Sequence, residues 1–269
     1  TASGLAGSAI GNINGLVDIR YSTITNNSGG SYAIYSLNGN AKIEIGNSIL
    51  AGNTNNGDCA VSAANITSHG YNLFGSSPAC YSYGLPVFTP LSTDKTGIDP
   101  KLAFLIGNGI HPLIPGSLAI DSANTSACPL VDQRGITRPQ GSKCDIGAVE
   151  FATGGTVPAY IVNYQGSPQS IWVSTPASVN FGVFVMDAEG KAVANATVTF
   201  TAPTSGASGK FTNNTTTTTA QTNSNGVALA STFTANAITG SYSVTATIQG
   251  VAATTSFELS NIDVNINTY

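Results

Sequence analysis

Val17-Asp18-Ile19, Ser22-Thr23-Ile24 and Asn26-Asn27-Ser28 return as Ile43-Glu44-Ile45, Ser48-Ile49-Leu50 and Gly52-Asn53-Thr54. The offset is 26 residues here, and 24 where Ala9-Ile10 returns as Ala33-Ile34. A third, more degenerate unit follows through Ile66 and Asn72-Leu73-Phe74. Each unit is a set of short strands with one or two inward apolar residues, separated by Gly and Asn turns. That is the pattern of one turn of a parallel β-helix. Such a turn buries its inner face only by stacking on its neighbours, so the stack needs caps at its ends. The competing arrangement is an ordinary β-sandwich with coincidental spacing.

Composition points the same way. Asn (25) and Thr (32) each outnumber all 22 charged residues together, and charged residues make up only 8% of the chain. Neutral polar groups must therefore cover the surface. Gly, Thr and Asn are abundant and Val is well represented, which favours pleated strands and the turns between them. No amphipathic helical stripe can be traced, so the chain is predicted to be almost wholly β. The net charge of −4 and the lack of a basic run exclude nucleic acid as a partner. No apolar run is long enough for a membrane-spanning helix. Thr1 follows no initiator Met or signal peptide, as expected of a processed chain or an excised part of a longer one.

Four cysteines allow three pairings, and proximity favours Cys59 with Cys80 and Cys128 with Cys144. Two bridges imply an oxidising compartment, and hence an extracellular, secreted or bacterial cell-surface location. No Cys-x-x-Cys spacing occurs, and neither His69 nor His111 has a cysteine at ligand spacing. No metal or cofactor is implied. Asn55, Asn56 and Asp58 match no calcium-loop spacing.

Residues 152–158, with Gly-Gly and Pro as breakers, read as a linker. Beyond it Val179, Phe181, Val183 and Val185 recur at every second position, with Asn180 and Gly182 between the first three, and are read as a half-buried strand. Thr197-Val198-Thr199-Phe200, Ser243 to Thr247 and Thr255 to Leu259 are further strands, with turns at Glu189-Gly190, Asn225-Gly226 and Thr239-Gly240. Short strands with regular turns indicate a Greek-key sandwich. The expected division is 1–151, a truncated β-helix with a disulfide-stapled C-terminal segment; 158–260, a sandwich; and 261–269, an extra C-terminal strand.

Both halves resemble known families. Asn47 to Ala51, Asp58-Cys59, Ser68 to Gly75, Asp99 to Leu102, Pro115 to Asp121, Asp132 to Gly135, Arg138-Pro139 and Cys144 to Glu150 resemble the end of bacterial right-handed β-helix surface proteins of the choice-of-anchor Q type. Those proteins have many more turns than the three or so read here. Asp187 to Gly190, Val198 to Phe200, Gly206 to Gly209, Asn225 to Ala228, Gly240 to Val244 and Phe257 to Leu259 resemble bacterial immunoglobulin-like repeats of the invasin and intimin type. The resemblance implies a stalk spacer that holds an adhesive tip away from the cell.

Catalysis finds little support in the residues. Glycoside cleavage needs two opposed carboxylates or a metal with a base. Asp94, Asp99, Asp121, Asp132, Asp145 and Glu150 lie in the irregular segment, and only Asp18, Glu44 and Asp58 lie among the turns. There is no Gly-x-Ser-x-Gly elbow, and no acid stands close in sequence to either histidine. The chain is expected not to be an enzyme. Asp132, Arg134, Arg138, Asp145 and Glu150 are the densest charge, read as pairs that fix the terminal loops against the end of the stack rather than as an anion site. Asn-x-Ser/Thr triplets at Asn26, Asn65, Asn124, Asn195, Asn213 and Asn214 are expected by chance in such a composition.

Ile262, Val264 and Ile266 alternate with polar residues in the tail, in the manner of a strand able to add to a neighbour's sheet. The expected function is that of a non-catalytic structural or adhesive surface protein, as a module of a large adhesin or a subunit of a self-assembling filament. The expected partners are further copies through the chain ends and a host, cell-surface or matrix glycan or protein. A glycan-binding or polysaccharide-active β-helix protein is the alternative. Its discriminators are opposed carboxylates, or exposed aromatics in a row such as Tyr71, Tyr81 and Tyr83.

Overall fold

The computed structural model describes residues 7–29, 32–36, 40–53, 58–61, 66–77, 80–82, 85–86 and 88–263. Apart from a 3-10 turn at Thr125–Ala127, their regular structure is all strand. The chain divides into two compact units with the break between Phe151 and Ala152, and Ile106–Asn108 groups with the second.

In the first unit, β1 (Gly7–Asn12), β2 (Gly15–Arg20) and β3 (Thr23–Thr25) make one circuit of the chain. A second circuit is β4 (Tyr32–Ser36), β5 (Ala41–Gly46) and β6 (Ile49–Ala51), and a third is β7 (Cys59–Val61), β8 (Ile66–Ser68) and β9 (Leu73–Phe74). Then come β10 (Cys80–Ser82), a short β11 (Leu85–Pro86) folded back on it, and β12 (Lys95–Thr96). Successive strands are dealt in rotation to three sheets, in which β1-β4-β7-β10, β2-β5-β8 and β3-β6-β9-β12 pair in parallel. The sequence showed three units; β10 and β12 continue two of the sheets for a fourth.

Register explains the repeat. Ile10, Ile34, Cys59 and Cys80 are successive partners in the first sheet, Val17, Ile43 and Ile66 in the second, and Ile24, Leu50 and Phe74 in the third. All ten pack in one hydrophobic core. Among the described residues no strand pairs with the other edge of β1, β2 or β3. Ile10, Val17 and Ile24 are accordingly only partly buried. The corner before the third sheet carries a polar ladder: the N–H groups of Ser22, Ser48 and Asn72 donate to Ser48 Oγ, Asn72 Oδ1 and Asp94 Oδ1, at 3.1, 3.1 and 2.9 Å. Each turn thus pairs side chain to backbone with the next.

Alternation also turns Ile49, Ala51 and Leu73 outward from the third sheet. They are nevertheless buried, beneath Leu113, Ala119, Ala123, Cys144 and Ile146. The irregular segment therefore packs along the flank of the stack, not across its end as the sequence reading had it. Apolar side chains on both faces of these strands are the reason, since each is worth about 1.5–3 kcal/mol when removed from water. The segment reaches back to the first turn, where Ala148 N–H donates to Thr23 Oγ1 (3.1 Å) and Tyr21 Oη to the Asn124 carbonyl (2.6 Å). Gly147, at φ 101, permits the approach: a Cβ there would lie 2.7 Å from Thr23 Oγ1 and 2.9 Å from Ile49 Cδ1.

The second unit begins earlier than expected. β13 (Thr153–Gly155) lies inside the stretch read as a linker and pairs in parallel with β17 (Ala192–Val193). One sheet is completed by β14 (Tyr160–Gln165) and β16 (Gly182–Met186), with β21 (Val227–Leu229) on β16. The other runs β15 (Gln169–Trp172), β24 (Thr254–Ile262), β23 (Gly240–Ile248), β18 (Thr197–Thr201), β20 (Thr217–Gln221). β19 (Gly209–Phe211) and β22 (Phe233–Ala235) form a separate ladder. Phe181, Phe200, Phe211, Phe233 and Phe257 fill the core with Val183, Val185, Val198, Val244 and Leu259. The Phe181 ring centroid lies 5.2 Å from that of Phe233 and 5.1 Å from that of Phe257.

Three details depart from the sequence reading. Val179 is outside β16 and 41% exposed, because the Gln169 side chain holds its backbone at both N–H and C=O. All five residues of β16 are buried, where a half-buried strand was expected. Asn261 and Ile262 complete β24, opposite Ile171 and Trp172, and do not start a separate strand. Buried Asn261 donates to the Ser208 carbonyl at 2.9 Å and accepts from Tyr242 Oη at 2.7 Å. Val264 and Ile266 lie outside the described residues.

Replacing Gly147 with alanine forces Thr23 and Ile49 aside at a left-handed backbone position. The expected cost is about 1–3 kcal/mol, read as a lower denaturant midpoint with an unchanged slope.

Candidate functional site

The five charged residues singled out in the sequence do meet, in a buried cluster on the irregular flank. Arg134 Nη2 and Nε lie 2.7 and 2.9 Å from Asp132 Oδ2, and Arg138 Nη1 lies 3.1 Å from Glu150 Oε2. Each arginine also serves the backbone. Arg134 donates to the Glu150 carbonyl, and Arg138 to those of Asp145 (2.9 Å) and Gly147 (2.8 Å). The Arg138 guanidinium carbon lies 5.4 Å from the centroid of the Tyr21 ring, within cation–π range.

The carboxylates are bound by chain N–H groups. Asp132 Oδ1 accepts from Arg134 and Ile136, and its Oδ2 from Glu150. Glu150 Oε1 accepts from Gln140, and Oε2 from Asp145. Asp145 Oδ1 accepts from Asp121, and Oδ2 from Phe151. An irregular segment has no ladder for its N–H groups, and these acids supply the acceptors. Burial raises the Asp132 carboxyl, but the Glu150 N–H and Arg134 outweigh it and hold the acid below its ordinary value. For Asp145 burial wins over the Phe151 and Asp121 N–H bonds and, with the Glu150 and Asp121 charges, pushes it up to about 7.

Both expected disulfides form. Cys59 and Cys80 are register partners inside the inward column, and Cys128 is bridged to Cys144 beside the cluster. The remaining acids of the first unit are also held by its own groups. Asp58 accepts from Asn53 and Ser76, and Asp94 from Ser68, Asn72 and Leu91. Glu44 meets Arg20 at 3.4 Å and His69 at 2.9 Å on the outside of the second sheet. Among the described residues no group of three or more His, Cys, Asp or Glu is placed to hold a metal. Tyr83 and the side chain of Tyr81 lie outside what is described, so the aromatic row is not traced.

Asn47 was missed as a cluster neighbour. Its carbonyl accepts the Gly147 N–H and its Oδ1 accepts the Asn124 N–H at 2.7 Å, tying the flank to the second turn. Its φ of 52, like those of Tyr21 (43) and Tyr71 (56), marks a recurring corner. The repeat offset alone carried that signal. No protein-family model matches the chain, and no curated protein matches it.

Arg138→Ala leaves the buried Glu150 side chain without its cation, at an expected cost of about 3–5 kcal/mol in urea unfolding. The two shifted acids act in opposite senses. Asp132, lowered on folding, stabilises above its unfolded value of ~3.9 and loses that as pH falls through its folded value. Asp145, raised on folding, stabilises below ~3.9 and loses that as pH rises toward about 7. Asp145→Asn should flatten the decline on the neutral side in a pH series of unfolding midpoints.

Proposed function

We propose that this chain is a non-catalytic extracellular structural or adhesive surface module. Its first unit is a short right-handed parallel β-helix and its second an immunoglobulin-like sandwich. The rotation of strands through three parallel sheets supports the first reading. The two sheets around a phenylalanine core support the second. Residue for residue they resemble the end of choice-of-anchor Q surface proteins and an invasin- or intimin-type stalk repeat, which implies a rigid body carried on a spacer.

One observation carries the non-catalytic reading. The buried acids Asp132, Asp145 and Glu150 have every carboxylate oxygen accepting an N–H bond from their own chain. A glycosidase needs carboxyls turned to the sugar; these are turned to the backbone. Two disulfides fit an oxidising compartment, and no helix among the described residues is long and apolar enough to cross a membrane.

Two measurements test the proposal. Incubation with a panel of neutral and acidic polysaccharides should release no reducing or unsaturated ends, and release that survives purification overturns the reading. Protease shaving of cells producing the protein should remove it from intact cells with both disulfides formed; a protected, reduced protein also sinks it.

A further inference from the structure

The second unit carries an open cavity of about 450 Å³ beside β19 and β22. The buried Phe211 and Ala235 are among the residues that border it. Its lining loops are fixed by their own side chains. Ser208 Oγ donates to the Pro203 carbonyl at 2.6 Å, and Asn236 Nδ2 to that of Gly206 at 2.8 Å. Asn213 Nδ2 donates to the Thr217 carbonyl at 2.8 Å while its Oδ1 accepts the Thr215 N–H. The opening is therefore preformed, as small-ligand sites usually are.

Six other lining residues differ from these. The side chains of Thr204, Lys210, Thr212, Asn214, Thr216 and Thr234 make no hydrogen bond or ion pair with the described residues, yet all border one cavity. Lys210 and Thr234 are direct cross-strand partners, which puts the ammonium and the hydroxyl side by side on one face. No acid lines the cavity. One ammonium amid hydroxyls and an amide complements a ligand with one negative charge and many hydroxyls. A phosphate ligand would call for an Arg fork or several cations.

We infer that this cavity binds an acidic saccharide, with the carboxylate of one sugar residue on Lys210 and its hydroxyls on the surrounding threonines and Asn214. The site is independent of the first unit, and the inference stands whether or not the module reading does.

The test is amide-resolved NMR of the full chain, titrated with three acidic probes: tetragalacturonate, a hyaluronan tetrasaccharide and sialyllactose. Maltotetraose and N-acetyl-trialanine serve as a neutral sugar and a peptide carboxylate. At least one acidic probe should shift amides within 203–216 and 234–236, with either control weaker by about tenfold or more. Lys210→Ala should weaken that probe by about tenfold, the loss of one charge-assisted contact, and Lys210→Arg should restore most of it. Lys210 is exposed, so the variant spectrum should otherwise overlay; if it does not, Thr212→Ala and Thr234→Ala take its place, each expected to weaken the same probe. Absence of shifts with all three acidic probes, equal binding by either control, or unchanged affinity in the variants overturns the site.

Discussion

A parallel strand can satisfy neither its backbone nor its inner side chains alone; both are completed by the strand stacked on it. The first unit follows from that constraint. Its three inward columns exist because each circuit places an apolar residue over the last, and Cys59 and Cys80 continue the column begun by Ile10 and Ile34. Pleating then turns Ile49, Ala51 and Leu73 to the outside, where they too are apolar and need a cover. The cover is a segment almost without regular structure, whose N–H groups have no strand to pair with. Buried Asp132, Asp145 and Glu150 are the acceptors that make such a path tolerable, and Arg134 and Arg138 are the cations that make the acids tolerable.

The columns were legible in the sequence because Ile, Val, Leu and Phe recur at nearly constant offset, and turn geometry reserves the places between for Asn and Gly. The two disulfides were legible from proximity. The path of residues 97–151 was not, because an irregular cover has no period to read. Its charges could be picked out in a charge-poor chain, and their pairing could be anticipated. That the pairs sit on the flank was not visible, since it depends on which face of β6 and β9 is left uncovered. Asn47 and Tyr21 tie that flank down through a carbonyl, an amide and a phenol, groups too common in this composition to stand out.

The second unit shows the same limit in another form. The alternation around Val183 and Val185 predicted a strand, but not that Gln169 would hold Val179 away from it, nor that both faces of β16 would be buried. The linker reading failed at Thr153–Gly155 for a related reason: Gly-Gly marks chain freedom, and here that freedom is used for close pairing. A Cβ at Gly155 would lie 2.7 Å from the Lys191 carbonyl oxygen. Lys210 was invisible as a candidate because threonine and asparagine surround every position in this half. Only the cross-strand register and the absence of side-chain partners among the described residues set its neighbours apart.

The buried cluster also bears on why so charge-poor a chain keeps charges in its interior. An isolated buried ion pair often gains nothing over apolar residues of the same volume, because desolvation offsets the attraction. Arg138 and Glu150 are not isolated in that sense. Between them they bond the carbonyls of Asp145 and Gly147 and the N–H groups of Gln140 and Asp145. An apolar replacement of both would remove the pair's desolvation cost but leave three buried backbone groups, the Asp145 N–H and the Asp145 and Gly147 carbonyls, without partners, each costing about 1–3 kcal/mol. The charges are therefore kept for the irregular backbone around them, the backbone that carries the cover over Ile49, Ala51 and Leu73.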